Sequence, residues 1–537
     1  MFQRVLAAES FEMSDTPHIF PTHVHTGPQW SLIQTSPLCS LPTQCATSYL
    51  SFVSDGTRPI GPSSLWEHLP RELVLSIISR DTVQRHVFTD SILFTTSRRR
   101  YRSPRPESPS SSAPPESVPG VSILRPLKGL DTNLFENLES TFRQEYPNFE
   151  IIFSVANEYD QALPVVQALL EKYPHSDARV IVGSCGHSTF LRGLLTRRLG
   201  EEVVGVNPKV NNLIRPYREA KHDILWVLDS NVTISPGALA RAVGVLTTTP
   251  KSGRKIALVH HVPFATVNTP TLGAKVEEAF LNTTHAKMYV ALNALALDSC
   301  VMGKSNLYRR SDVDRLDGSL KPHTGEPTSP SIERGLQVFG KYMAEDNIIA
   351  SGIWHELGLR HDLSYDIAYN AIGDMSLKDY ILRRVRWIRV RKHMVLSATL
   401  LEPWTESIAL GVVAALSVHS LFGVFYLPFF ACHFSAWILV DLDVYRSIAG
   451  HFPPWGSRTS FFIAWVIRES LAFPIWLYAV VGSQVTWRGK QYRMLRNGEV
   501  VPVKPSPVSG LGSTLARLGI RSRKSMDQYE PLPISHS

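Results

Sequence analysis

The sequence predicts an α/β domain that is followed by a helical region in a membrane. Between residues 120 and 378, short apolar runs rich in β-branched residues alternate with amphipathic helical patterns. This alternation is typical of a parallel sheet whose two faces are covered by helices. Further on, Ser407–Val440 contains no Asp, Glu, Lys or Arg over 34 residues. So long an uncharged stretch indicates contact with a bilayer.

The predicted strands of the α/β domain are five short segments. They are "VSILRPL", "FEIIFSV", "ARVIVG", "DILWVLDS" and "KIALVHH". Helical patterns lie between them, for example over Asp131–Tyr146, where the apolar residues fall on one face. Two segments, Ser184–Val203 and Gly318–Gly335, interrupt the alternation, and we predict that both are surface insertions.

The net charge and the cysteine content limit the classes of function that this protein can have. The chain of 537 residues is long enough for two or three domains and carries a net charge of +8. Its basic residues cluster beside apolar runs, which favours a membrane face or a phosphorylated substrate over nucleic acid. Five scattered cysteines without a CxxC pair predict neither a disulfide framework nor a zinc site, and they fit a core in a reducing compartment. The first thirty residues show no secretory signal.

The two ends of the chain show weak patterns. Residues 1–119 are poorly patterned, and Ser97–Pro119 is a Pro/Ser-rich stretch after a basic run, which predicts a linker. Apolar pieces before residue 100 are shorter than the ~20 residues that a membrane span needs. Residues 485–537 are predicted to be a basic, polar tail.

Residues 404–484 are predicted to form transmembrane or interfacial helices. The uncharged stretch is long for one span and short for two, and Gly423 and Pro428 lie in its middle. We therefore predict two short helices in a tight hairpin. Phe461–Gly482 is a third candidate, although it contains Arg468-Glu469. Because an ion pair in lipid is costly, we predict that this pair faces protein or lies at interface depth.

A basic segment precedes the membrane region. The run "YILRRVRWIRVRKH" combines seven basic residues, if its final histidine is counted, with Trp387, and we predict that residues 379–403 lie at the interface. The guanidinium groups of Arg383 and Arg386 are suited to bidentate binding of a pyrophosphate. The indole of Trp387 suits a membrane interface or the face of a sugar.

Three acidic residues stand at positions that favour chemistry. Ligands of α/β sheets bind beyond the C-terminal ends of strands, and Asp229 directly follows the predicted strand Ile224–Leu228. Asp160 follows another strand closely, and Asp346 opens an apolar helical stretch. Each alone is compatible with a helix cap or a turn. Together, upstream of the basic segment, they indicate transfer from an anionic donor to a substrate in the bilayer.

These motifs resemble those of ceramide glucosyltransferases, which are membrane-bound inverting enzymes. The matching stretches lie roughly between Pro119 and Arg493 and include "PLKG", "NPKVNNL", "MAEDNIIA" and "RRVRW". The RxxRW motif also occurs in chitin, cellulose and hyaluronan synthases, whereas the combination of motifs is more specific. The resemblance implies a GT-A-like (Rossmann-like) catalytic domain over residues 120–378.

The resemblance also implies roles for single residues. Asp160 matches the aspartate that contacts uridine, Asp229 the one beside the metal (Mg²⁺ or Mn²⁺) and the pyrophosphate, and Asp346 the general base. Further matches near the donor pyrophosphate or the acceptor are Lys209, His285, Arg383, Arg386 and Trp387. For His285, an ordinary partly buried histidine is an equal alternative.

The implied reaction transfers glucose from UDP-glucose to the primary hydroxyl of ceramide with inversion. The implied location is the Golgi (or ER) membrane, multi-pass, with the catalytic domain facing the cytosol, as the basic segment also predicts. The sequence leaves two alternatives open, a processive polysaccharide synthase and an inactive membrane scaffold.

Three departures from the family pattern stand out. The N-terminal membrane helix of the family is not recognisable in residues 1–100, and Ser184–Val203 is an additional segment. Asn231 occupies the second acidic position of a DxD motif. Asn231 and Asn282 both lie in N-x-T sequons, and for a cytosolic domain we expect neither to be glycosylated.

Overall fold

The computed structural model describes 8 stretches of the chain, all within one compact unit, Ser91–Ser537. They are residues 97–106, 113–183, 198–199, 202–250, 253–296, 298–322, 333–487 and 490–503. The predictions about residues 1–96, part of the linker, most of the insertion Ser184–Val203, the middle of the insertion Gly318–Gly335 and the end of the tail lie outside the described residues.

The centre of the fold is a nine-stranded sheet with the order β4-β3-β2-β1-β5-β8-β7-β9-β6. Its strands are β1 Val121–Leu127, β2 Phe149–Val155, β3 Ala178–Gly183, β4 Arg198–Leu199, β5 Ile224–Leu228, β6 Val232–Thr233, β7 Ile256–Val267, β8 Ser305–Arg309 and β9 Arg360–Ile372. All five predicted strands are present. From β4 to β5 the strands are parallel, as predicted.

The other half of the sheet is mixed, which corrects the prediction of a parallel sheet in part: β7 and β9 are parallel, but the other pairs are not. Strand β8 is antiparallel to both of its neighbours, β5 and β7, and β6 is antiparallel to β9. Strand β8 begins at the edge of the sheet where β5 ends. Ser305, the first residue of β8, therefore lies opposite Leu228, the last residue of β5. This pairing brings the loop before β8 to the C-terminal edge of the sheet, where ligands bind in such folds.

Helices cover both faces of the sheet, as predicted. The helices are α1 Leu134–Phe142, α2 Ala162–Lys172, α3 Pro208–Glu219, α4 Ala238–Thr247, α5 Leu272–Phe280, α6 Ala286–Leu295, α7 Arg310–Val313, α8 Glu345–His355, α9 Leu377–Met394, α10 Leu396–Leu401, α11 Ser407–Phe422, α12 Tyr426–Ala449 and α13 Arg458–Val481. On β1, Leu124 packs in the cluster that contains α3 and α8, whereas Ile123 packs in the cluster of α4. A π-helical turn, Leu281–His285, joins α5 to α6.

Two helices, α12 and α13, are long and apolar enough to cross a membrane. A third candidate is the pair Ala398–Thr405 and Ser407–Phe422, which is bent by 66°. The turn between α11 and α12 lies at Gly423, whose φ of 67° favours glycine. Two helices were predicted here, but α12 is not short: its 24 residues extend to Ala449. Pro428 lies in its first turn, where proline is tolerated.

The ion pair inside α13 faces protein, which confirms the prediction for Arg468-Glu469. The two residues are 2% and 4% exposed. Arg468 Nη2 lies 2.6 Å from Glu406 Oε2, and Glu469 accepts a hydrogen bond from the hydroxyl of Ser407. Partners from the start of α11 thus satisfy charges that lipid would leave unpaired.

Residues 485–503, predicted as part of a polar tail, form a small antiparallel sheet instead. Its strands are β10 Gln484–Trp487, β11 Lys490–Met494 and β12 Val500–Pro502. Tyr492 and Met494 are buried and pack with Val390 of α9, while the residues between and before them are exposed. Because charged or polar residues occupy the exposed alternate positions, the average composition of this segment is polar. That composition hides the two-residue period of a strand.

Residues 97–106, within the predicted linker, are bound to the folded domain. Four arginines, here called the basic clasp, pair with three carboxylates. The pairs are Arg98 and Arg102 with Asp443 at 2.8 and 2.7 Å, Arg100 with Asp362 at 3.0 Å, and Arg105 with Asp366 at 2.8 Å. Since Asp443 belongs to α12 and the other two belong to β9, the clasp connects the membrane region to the sheet.

Candidate active site

Asp160 holds the loop that follows β1. Its Oδ1 atom accepts hydrogen bonds from the backbone N–H of Gly129, at 2.8 Å, and of Ala162, at 3.0 Å. Gly129 has a φ of 70°, which the tight "LKG" turn requires. Asp160 therefore stabilises the start of α2 and at the same time fixes a loop at the C-terminal edge of the sheet.

Asp229 stands at the same edge, immediately after β5, between two lysines. Its Oδ1 lies 2.8 Å from Lys209 Nζ, and its Oδ2 lies 3.1 Å from Lys304 Nζ. Burial acts to raise the pKa of Asp229, but the two ammonium groups outweigh it and hold the pKa below its ordinary value. The carboxylate is thus ionised at neutral pH and about a quarter exposed.

The "NPK" motif explains how Lys209 reaches Asp229. Asn207 is the N-cap of α3, and its Oδ1 accepts a hydrogen bond from the backbone N–H of Lys209 at 2.9 Å. Pro208 occupies the first helical position. The Nδ2 of Asn207 donates to Glu345 Oε2 at 2.8 Å, and Lys209 Nζ lies 3.0 Å from Glu345 Oε1. Helices α3 and α8 therefore meet at the site.

Asp346 follows Glu345 in the first turn of α8. Burial, then the charge of Glu345, raise the pKa of Asp346 to about 7, although Lys209 acts in the opposite direction. A Cβ atom on Gly303 would lie 2.5 Å from Asp346 Oδ2, so the glycine leaves the space that this carboxylate fills. A carboxylate with a pKa near 7 is suited to general-base catalysis.

The RxxRW segment lies on α9, which starts with a capping box between Ser376 and Asp379. Arg383 Nε lies 2.9 Å from Glu277 Oε1 of α5, and the Arg383 guanidinium lies 4.9 Å from the ring centre of Trp387. The ring centres of Trp387 and His285 are 6.2 Å apart. Arg383, Trp387 and His285 therefore form one group, and Arg386 is partly buried on the same helix.

Apart from Asp160, which holds the loop after β1, the sequence-predicted residues form two groups. Lys209, Asp229 and Asp346 are together at the edge of the sheet. The group of Arg383 is connected to them electrostatically through Lys304, whose pKa is lowered by burial first and also by Arg383, against the opposing effect of Asp229. The arrangement combines a poised carboxylate with several cations, as transfer from a diphosphate donor requires.

Comparison with known proteins identifies the family. The family model "Glycosyl transferase family 21" matches residues 87–190, 194–324 and 331–500, which is most of the chain. The chain belongs to glycosyl transferase family 21. It is 38% identical to the ceramide glucosyltransferase of Komagataella phaffii, over 71% of this chain and 83% of that protein.

One further relative and one solved structure also align with most of this chain. The ceramide glucosyltransferase of Pyricularia oryzae is 33% identical over 78% of this chain and 93% of its own length. Among solved structures, mannosyltransferase PcManGT from Pyrobaculum calidifontis, in complex with GDP-Man and Mn²⁺, is 18% identical over 75% of this chain and 99% of that chain, with a TM-score of 0.39. A TM-score this low carries no argument about function.

His285 of this family 21 enzyme is a buried, neutral histidine. Burial, then Arg384 and the other nearby arginines, lower its pKa to about 3. Its ring stacks on Tyr289 with centres 5.5 Å apart, and among the described residues its Nδ1 has no hydrogen-bond partner. A neutral ring does not attract a pyrophosphate by charge, so the geometry favours a hydrogen bond to an uncharged group.

Sequence reasoning missed the loop that carries Gly303 and Lys304. Its only sequence signal is a Gly-Lys pair directly before a strand. The loop is fixed by a buried network: the backbone N–H of Met302 donates to the Tyr289 hydroxyl at 2.8 Å, and that hydroxyl contacts His260 Nδ1. Burial raises the pKa of Tyr289 and lowers that of His260, so both are neutral. Because Nε2 of His260 donates to Asn293 Oδ1 at 3.0 Å, Nδ1 is the acceptor and the Tyr289 hydroxyl donates to it.

The residues around Asp229 fit a divalent cation. Among the described residues, no three His, Cys, Asp or Glu side chains converge as a complete metal site. However, Asp229 Oδ2 and Asn231 Oδ1 converge on a single cation, the Lys304 ammonium, at 3.1 and 2.9 Å. Carboxylate and amide oxygens are ligands that Mg²⁺ and Mn²⁺ prefer, and a nucleotide diphosphate supplies further oxygens.

Proposed function

We propose that this family 21 enzyme transfers glucose from UDP-glucose to the primary hydroxyl of ceramide with inversion, which gives β-glucosylceramide. The observation that carries the proposal is the similarity to proteins named ceramide glucosyltransferase, at 33% to 38% identity over most of both chains. The position of the candidate site supports it, because α9 leads directly from the site to helices that are long enough to span a membrane.

On the donor side, Asp160 binds the uridine and the cations bind the diphosphate. Lys209 and Lys304 lie at Asp229, and Arg383 and Arg386 approach from α9. As the bond between glucose and UDP breaks, negative charge grows on the leaving diphosphate, and preorganised ammonium and guanidinium groups stabilise it. Asp229 and Asn231 would hold a Mg²⁺ or Mn²⁺ ion, which would supply further positive charge for the leaving diphosphate.

On the acceptor side, Asp346 is the general base. Its carboxylate takes the proton of the ceramide hydroxyl while the hydroxyl oxygen attacks the anomeric carbon from the face opposite UDP. Such a base typically contributes ~10²–10⁴-fold in rate. The pKa of about 7 supports this role, since Asp346 then accepts a proton readily near neutral pH.

The acceptor reaches the site from the bilayer. Leu396, Leu400 and Leu401 of α10 and the nearby Trp404 are each about half exposed, between the RxxRW helix and the first membrane helix. An exposed apolar surface of this kind suits the membrane interface. We assign Trp387 and the neutral His285, which lie against each other, to the acceptor side, where His285 offers a hydrogen bond to a polar lipid group.

We infer that the enzyme lies in the Golgi (or ER) membrane, multi-pass, with the catalytic domain facing the cytosol. The basic segment immediately before the first membrane helix supports this topology. Asn282 also supports it, because this sequon asparagine is 0% exposed and binds the backbone of Ala265 through both side-chain atoms. A glycan cannot be attached there without unfolding the site.

Both alternative functions have less support. A processive polysaccharide synthase needs enough helices to enclose a sugar channel, and the described part of the chain offers two, or three if the bent pair is one span. An inactive scaffold has no need for Asp346, whose pKa is raised, near a second carboxylate, Asp229, that is paired with two lysines.

The deciding experiment is a product analysis. Membranes that contain the full chain are incubated with isotope-labelled UDP-glucose and ceramide, and lipids are analysed by mass spectrometry. We expect one labelled hexose per ceramide, sensitive to β-glucosidase. Asp229→Ala membranes serve as the control and give no product. A labelled polymer, or no labelled lipid from folded wild-type protein, contradicts the proposal.

A further inference from the structure

One side chain in the site touches both oxygens of the candidate metal site. We call the carboxylate of Asp229 and the amide oxygen of Asn231 the cation cradle. Lys304 Nζ lies within 3.1 Å of the first and 2.9 Å of the second. The side chain of Lys304 is only 11% exposed. An ammonium group of the protein itself therefore occupies the place between the two oxygens that would hold a divalent cation.

Lys209 is not equivalent to Lys304. Its ammonium also binds Asp229, but its other contacts are Glu345 Oε1 at 3.0 Å and the carbonyl oxygen of Gly303 at 3.3 Å. No contact joins it to Asn231 among the described residues. Removing Lys209 thus leaves the cradle filled, whereas removing Lys304 opens it.

The backbone holds Lys304 in this position. The N–H of Asp229 donates to the carbonyl oxygen of Lys304 at 3.1 Å, and the next residue begins β8, which pairs with β5. Because the tether is short, the ammonium is present at the cradle at a high effective concentration. A free divalent ion must displace it in order to bind.

A nucleoside diphosphate changes this competition. The ammonium of Lys304 can form a charge-assisted hydrogen bond to the phosphate oxygens of this ligand. The same oxygens also supply ligands for the metal. Metal and lysine then no longer compete for the same oxygens. We propose that Lys304 is a tethered counter-ion that keeps divalent metal out of the cation cradle until the diphosphate of the donor arrives. This inference rests on the metal site of the proposed function.

The proposal predicts the order of binding, and direct metal binding tests it. Full-length protein in detergent is stripped of metal and titrated with Mn²⁺, and free Mn²⁺ is followed by electron paramagnetic resonance. For the wild type we expect weak binding alone and tight binding with UDP. For Lys304→Met, binding without UDP tightens by at least about tenfold, because the competing cation is gone.

Three variants make the result specific. Lys304→Met/Asp229→Asn returns Mn²⁺ binding to the wild-type level or below, since the cradle has lost its carboxylate. Lys209→Met gives a smaller gain than Lys304→Met. Lys341→Met, which removes a lysine that pairs with Glu499 at 2.8 Å, leaves Mn²⁺ affinity unchanged.

Equal Mn²⁺ affinity of folded wild type and folded Lys304→Met without UDP overturns the proposal, and so does tight Mn²⁺ binding by the wild type alone. If Lys304→Met does not fold, Lys304→Gln is used instead, because the glutamine amide can still form a hydrogen bond with Asn231 but carries no charge. None of these measurements uses ceramide or glucose transfer. A negative result therefore leaves the product analysis of the proposed function standing, and the reverse also holds.

Discussion

Two charged clusters of this protein have similar composition and very different surroundings. In the donor cluster at the edge of the sheet, Lys209 and Asp229 are 22% and 23% exposed. In the junction cluster between α9 and the membrane helices, Arg468 and its partner Glu406 are 2% and 8% exposed. Both clusters pair cations with carboxylates at hydrogen-bond distances.

The difference in exposure indicates that the two clusters have different roles, the donor cluster in ligand binding and the junction cluster in stability. Ion pairs that water can reach contribute little to stability, so their members can exchange partners when a ligand arrives. A buried pair cannot lose one member without leaving an unpaired charge inside the protein. We therefore expect changes in the donor cluster to affect activity and changes in the junction cluster to affect folding.

The largest expected effect on activity is that of Asp346→Asn. Loss of the proton acceptor should lower kcat by ~10²–10⁴-fold, while UDP-glucose still raises the melting temperature, because no phosphate contact is removed. Glu345→Gln is the matched control, since it changes the neighbouring carboxylate and should retain more activity. Turnover by Asp346→Asn that exceeds turnover by Glu345→Gln would transfer the role of base to Glu345.

The pH dependence tests the same carboxylate. A base with a pKa of about 7 predicts that kcat/KM rises with pH up to about 7 and is then constant. Because the pKa is higher in the folded than in the unfolded protein, this group lowers stability as pH rises from about 4 to about 7. Asp346→Asn should therefore melt higher than the wild type at pH 8 and gain less at pH 5.

In the junction cluster, Arg468→Leu should cost about 3–5 kcal/mol of folding free energy, because two buried carboxylates lose their shared partner. Lys209→Met in the donor cluster should cost less, because Asp229 keeps its pair with Lys304 and Glu345 keeps its hydrogen bond from Asn207. Denaturation of both variants in the same detergent gives the comparison. Similar losses for the two would mean that exposure does not separate the clusters.

A smaller effect is expected for Tyr289→Phe, which removes the hydrogen-bond partner of His260 Nδ1 and of the backbone N–H of Met302. The expected cost is about 1–3 kcal/mol, and the KM for UDP-glucose should rise because the loop with Lys304 loosens. Tyr146→Phe removes a hydroxyl that donates to Pro119 at 2.6 Å, remote from this loop, and should leave KM unchanged. An equal rise in KM for both variants would exclude a specific role of Tyr289.

The smallest effect is expected for Asp443→Asn, which weakens the attachment of the basic clasp to α12. Arg98 and Arg102 are 43% and 29% exposed, so the loss of stability should be below about 1 kcal/mol. Trypsin should nevertheless cleave the clasp faster, as both arginines lose their shared carboxylate. Unchanged cleavage kinetics would show that the clasp is held by its contacts with β9 alone.

Much of the fold could be predicted because it depends on local patterns. Apolar runs and helical periodicity located the five strands and the helices between them, and the cost of charge in lipid predicted the protein-facing Arg468-Glu469 pair. Asp229 was predicted at a strand end because the strand before it is continuous and apolar.

The sequence by itself determined the elements, the family motifs and the acids at the edge of the sheet, because each depends on residues that are neighbours along the chain. Only the tertiary structure decided that Lys304 fills the cradle beside Asp229, since that contact requires β8 to pair antiparallel with β5. It likewise decided that Arg98 binds Asp443, 345 residues away. Periodicity is a property of short segments, whereas the partner of a charge is selected by strand order and helix packing, which pattern alone does not encode.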